Sequence, residues 1–214
     1  ENYWFGFTKR ARVIAYSKDR VQPEALSTYE ALTDKRWKGR ILVRSSSHIY
    51  NQSLLASMIA HHNETYAKKW AGGLVDNFAR KPRGHDPDQV RAIYAGEGDL
   101  AIINTYYIGK MLNSENQQDV KAARQVKLFF PNQEGRGAHI NVSGAGIAKH
   151  APHKENAKLF LEFLASKPIQ ENLASANYEH PVHPNAELPD VLESWGDFNE
   201  DTLQLYKLGK LNKK

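Results

Sequence analysis

The chain contains no cysteine. Disulfides and thiolate metal sites are therefore excluded, and any bound metal has to be held by oxygen or imidazole donors. Long apolar runs are missing as well: none approaches the roughly 18 residues that a membrane-spanning helix needs. No charged-then-apolar leader stands ahead of Glu1, so the chain is expected to be a processed product or a piece of a longer protein. Common catalytic signatures are absent too, with no G-x-S-x-G elbow, no H-E-x-x-H pair and no Walker loop. Tyrosine can act as a general acid or base, but no cofactor fingerprint accompanies it here, and an enzyme is not expected. Finally, the net charge of +5 is not concentrated. Short basic clusters such as "TKRAR" (8–12) and the closing "NKK" do not make the stripe that nucleic-acid binding requires.

What is present suits a globular protein. The 214 residues are 41% apolar and 25% charged, enough to bury a substantial core. Element types alternate along the chain. Strands are predicted at 11–18, 40–44, 100–103, 126–131 and, interrupted by glycine, 140–148. Helices are predicted at 23–32, 51–62, 64–79, 86–99, from the Tyr106–Tyr107 pair onward, and at 153–166, 168–176 and 199–209. Gly96 reads as the C′ residue of the 86–99 helix, and "GEGD" (96–99) as its stop rather than a phosphate loop. This alternation predicts an α/β fold with a largely parallel sheet. The polar, glycine-rich loop 132–139 is the place where the chain is expected to cross between lobes.

Two strand ends carry unusual chemistry. The strand at 40–44 runs into "SSSHIYNQS" (45–53), and the strand at 100–103 runs into "NTYY" (104–107). Ligands of open α/β sheets gather at such strand ends, which would bring Tyr50, Tyr106 and Tyr107 to one crevice. A phenol is ordinarily neutral, with a pKa near 10. Three together call for a compensating cation, and a hard trivalent ion such as Fe(III) matches three phenolates in charge and donor type. The ordinary alternative is three packed aromatics with satisfied hydroxyls.

Ser45, Ser46 and Ser47 precede a helix start and read as N-caps or as a cradle for an anion. Asn104 and Thr105 are expected to cap the next helix, and Gln52 to be a surface residue. His61, His62 and the histidines of "HPVH" (180–183) lack a consistent set of ligand partners and are expected at the surface. His48 lies close enough to Tyr50 in sequence to share an ion with it.

"RSSSHIYNQSLLASMIA", "NTYYIGKML", "FFPNQEGRGAHINVSGAGIAKHAP" and "LFLEFLAS" together resemble the periplasmic ferric-ion-binding proteins of bacterial ABC importers, in particular their cyanobacterial branch. The resemblance runs from about Tyr3 to the end. It implies a periplasmic-binding-protein-like α/β fold of the transferrin-like type II, with the second lobe complete and the first lobe partial, the missing part having supplied a further tyrosine. It implies 1–12 as a hinge and first-lobe strand, 13–136 as the second lobe, 137–187 as a return to the first lobe, and 188–214 as a helical segment packing on the second. Tyr50, Tyr106 and Tyr107 are then the Fe(III) ligands, with Arg10 and Lys110 as basic groups beside them. A synergistic anion, carbonate or citrate, would sit by Ser45–Ser47. The implied protein is a periplasmic monomer that hands ferric ion to an ABC importer permease, without inserting stably into the membrane. Binding of an oxyanion or an iron chelate is the competing expectation.

Overall fold

A computed structural model describes residues 4–211; residues 1–3 and 212–214, including the terminal "NKK", lie outside the described part. Strand β1 (Phe5–Ser17) is the organising element. It is longer than the apolar run predicts because its polar first half is also paired. By their contacts the residues form two units, Glu1–Arg10 with Ile140–Asp197, and Ala11–His139 with Phe198–Lys214.

In the larger unit, β2 (Ile41–Leu42), β3 (Leu100–Asn104), β1 and β4 (Val126–Phe129) lie in the order β2-β3-β1-β4. β2 and β3 are parallel, joined through helices α1 (Ile49–His61), α2 (Glu64–Asp76) and α3 (Asp86–Tyr94). β1 is antiparallel to both β3 and β4. The expected, largely parallel sheet is therefore corrected to a mixed one. Helical crossovers make parallel neighbours, but β1 precedes that unit and runs against the strands it meets. Beyond β3 come α4 (Tyr106–Leu112) and α5 (Gln117–Arg124), the latter too polar to stand out in the sequence.

The core gathers Ile14, Tyr29, Leu32, Trp37, Ile41, Leu54, Met58, Trp70, Leu100 and Ile102. The helix expected at 23–32 is absent. Two 3₁₀ turns, Pro23–Ala25 and Glu30–Thr33, take its place, separated by Leu26 in an extended conformation. Tyr29 between them turns inward, and its hydroxyl donates to the carbonyl of Arg12. Gly96 does follow α3 with φ of +79°.

In the smaller unit, β5 (Ile140–Ala145) and β6 (His180–Pro181) pair with the first half of β1. α6 (Lys154–Ala165), α7 (Lys167–Asn177) and α8 (Asp190–Glu193) complete it. Residues 190–197 group here, not with the C-terminal segment as expected, because Leu192 is fully buried and Trp195 meets the His180 ring. The last helix, α9 (Leu205–Leu211), packs on α1. The chain leading to it is fixed by the Ala138–Glu200 bridge.

Candidate metal centre

Tyr50 stands in the first turn of α1, and Tyr106 and Tyr107 open α4. β2 leads through the turn at 43–48 into α1, its parallel neighbour β3 leads through Thr105 into α4, and the two first turns meet. The hydroxyls of Tyr50 and Tyr106 lie 3.3 Å apart. The rings of Tyr106 and Tyr107 stack with centroids 4.1 Å apart and planes at 30°. Adjacent helix residues ordinarily diverge, so this stacking gives the pair one shared direction. Tyr106 is buried, while Tyr50 and Tyr107 are half-buried. Burial, and hydrogen bonding with the hydroxyls of Tyr107 and Tyr50, push the Tyr106 phenol well above its ordinary value. Ionising the Tyr106 phenol in this setting takes a strong positive guest. Among the described residues no three His, Asp or Glu side chains come together as an alternative metal cage.

The other expected site residues fall into place unevenly. The Lys110 ammonium lies 5.2 Å from the Tyr106 ring centroid, over its face. Arg10 hydrogen-bonds the hydroxyl of Ser143 and pairs with Glu179 at 3.5 Å, all within the smaller unit. The N-cap of α1 is His48, whose Nδ1 accepts from the Tyr50 amide at 3.3 Å. Ser45, Ser46 and Ser47 are thus not the caps; they form the exposed turn ahead of it, with the Ser45 and Ser47 hydroxyls 2.9 Å apart. The His48 ring packs edge-on against Tyr50, and burial and the nearby Arg44 lower its pKa. Gln52 donates to the Ser47 carbonyl. Thr105 is the N-cap of α4, but its side chain makes no capping bond. Thr105 Oγ1 and Asn104 Nδ2 are buried without a hydrogen bond among the described residues. His61 and His62 are exposed, as expected, and each pairs with a carboxylate, Asp201 and Glu30, at 2.8 and 2.9 Å. His180 is buried.

Comparison with known proteins settles the family. The profile of the family described as "Bacterial extracellular solute-binding protein" matches residues 1–200. The chain belongs to that family. Iron uptake protein A1 of Synechocystis sp. is 53% identical over 209 residues, covering 98% of this chain and 58% of that protein. The solved structure of Trichodesmium IdiA (FutA), in complex with iron and citrate ligands, matches with a TM-score of 0.96 at 48% identity, covering 98% of this chain and 66% of that one. The ferric binding protein from Campylobacter jejuni matches with a TM-score of 0.93 at 41% identity, over 99% and 67%. The chain therefore has the periplasmic-binding-protein-like fold of those structures and spans about two thirds of their length or less. Among its described residues no helix is long and apolar enough to cross a membrane.

Around Tyr50 the chain also carries charged residues that its sequence alone does not single out. Arg12 donates to Asp86 at 2.7 Å and to Asn51 at 2.6 Å, and Arg44 donates to the other Asp86 oxygen at 3.2 Å. The β1–β3 register sets Arg12 opposite Asn104, whose backbone N–H donates to Asp86 at 2.9 Å. Arg12 and Arg44 leave one signal in the sequence, a charge beside an apolar run, whereas Asp86 opens α3 and leaves none.

Proposed function

We propose that the chain captures ferric ion through the phenolate oxygens of Tyr50, Tyr106 and Tyr107, as part of a binding protein that delivers it to an ABC importer. The observation that carries this is the 3.3 Å approach of two phenols from separate strand–helix junctions, with a third stacked on one of them. Hard, anionic oxygen donors suit a small trivalent ion and suit divalent cations less. The iron-related relatives support the same reading. Lys110, above Tyr106, supplies positive charge beside the site. Delivery to an inner-membrane permease from the periplasm, as a monomer without catalysis, belongs to the same proposal, and the family's description as extracellular solute-binding proteins supports its binding role.

Three phenolates leave coordination positions for other donors. An iron chelate is therefore a second reading, favoured by the citrate in the Trichodesmium structure and by Asn104 Nδ2 and Thr105 Oγ1 beside Tyr106, which have no hydrogen-bond partner among the described residues. Each phenol that coordinates must release its proton, so ferric binding is expected to strengthen as pH rises and weaken on acidification. Titration with ferric nitrilotriacetate should give a visible phenolate-to-iron band. The doubly substituted Tyr106→Phe/Tyr107→Phe chain should fold, by circular dichroism, and give no such band. A variant with undiminished ferric affinity would remove these tyrosines from the site.

A further inference from the structure

Tyr50 sits against a buried charged triad. Arg12 and Asp86 have no exposed side-chain surface, and the Arg44 side chain is 6% exposed. The Arg12 guanidinium carbon lies 5.9 Å from the Tyr50 ring centroid and that of Arg44 lies 5.7 Å from it. Arg12 also holds Asn51, the residue after Tyr50, and the Asn51 amide donates to the Arg44 carbonyl at 2.9 Å. The first turn of α1 is thus tied to both arginines by side chain and backbone. His85 Nδ1 lies 3.2 Å from Arg44, and the His48 ring packs edge-on against Tyr50.

Burying charge is costly, and a buried pair is ordinarily balanced. Here two guanidinium groups share a single carboxylate, so the triad holds one positive charge in excess. Arginine remains charged in proteins, so this excess does not titrate away. It is also directed at the face of an aromatic ring, where a desolvated cation interacts most strongly. A neutral core tyrosine would be held as well by apolar neighbours, at less electrostatic cost.

We propose that the Arg12–Asp86–Arg44 triad is the positioning group for Tyr50, aiming its ring and offsetting the negative charge its oxygen carries when it holds ferric ion. The assignment rests on the ferric reading above. Arg12 and Arg44 touch the ring rather than the metal, and Asp86 acts by holding both.

The test compares Arg44→Met and Arg44→Lys with the unsubstituted chain, using ferric nitrilotriacetate at fixed pH, with the melting temperature of each metal-free chain as the check on folding. Arg44→Met should bind iron roughly tenfold more weakly, the equivalent of one desolvated cation–π contact. Its phenolate-to-iron band should move to longer wavelength, because a phenolate without its cation gives up an electron more easily. Arg44→Lys should restore most of the band position. A merely structural role would change the melting temperature and leave the band where it was. A band and an affinity unchanged in Arg44→Met, beside a normal band in the unsubstituted chain, would overturn the triad's role alone. No band in the unsubstituted chain would overturn the ferric reading, and the triad's role with it.

Discussion

At the scale of single residues, His139 is the most exacting case. It is buried, with its Nε2 2.8 Å from Ser53 Oγ. Burial, and then the charges of Arg12 and Arg136, lower its pKa from 6.5 to about 3. In the unfolded chain the ring takes up a proton near pH 6.5, whereas the folded chain resists until about pH 3. Its contribution to stability is therefore complete above pH 6.5 and is lost progressively as pH falls toward 3. Glu30 behaves in the same sense over a lower window. Burial pushes it up, but hydrogen bonds from Asn132, His62 and Arg136 prevail and bring it from 4.5 to about 2. Urea unfolding between pH 6.5 and 5 stays above the Glu30 window, and a His139 variant then isolates that histidine. The unsubstituted chain should lose stability steadily across that interval, and His139→Gln should show a shallower slope whatever its absolute stability. Equal slopes would mean that His139 is not held neutral.

At the scale of elements, backbone geometry sets a ranking. Gly96, past the end of α3, has φ of +79° with open space where a Cβ would go. Gly96→Ala should cost about 1–2 kcal/mol, the left-handed penalty alone. Gly137 has φ of +85°, and a Cβ there would stand 2.4 Å from the carbonyl oxygen of Asn199. The strand-like seam from Ala138 to Glu200 and Asp201 would have to open, so Gly137→Ala should cost more than Gly96→Ala. Equal melting temperatures would contradict this. The same elements show what the sequence discloses. "LAII" followed by "NTYY" announces a buried strand running into a helix, because four apolar residues and a polar break leave little else. "PEALSTYEAL" fits a helix by periodicity, yet its Leu26 and Tyr29 are drawn into the core from an irregular path, and tertiary packing overrides local preference. The direction of β3 and β4 against β1 depends on where the chain has already been, which no local window contains.

At the scale of the molecule, the tyrosine cluster was legible because its residues are chemically odd at strand ends. The triad behind Tyr50 was not, because Arg12, Arg44 and Asp86 are far apart in the chain and each alone resembles a solvated charge. A resemblance in four segments also pointed to the family, and the match over residues 1–200 bears it out. The central claim is that three hydroxyls share one ferric ion. Diffraction from crystals of the ferric-loaded chain, recorded on both sides of the iron absorption edge, locates iron without assumption about its ligands. A single anomalous peak within bonding distance of the Tyr50, Tyr106 and Tyr107 oxygens is the expected result. A peak on histidines or carboxylates elsewhere, with the three phenols untouched, would contradict it.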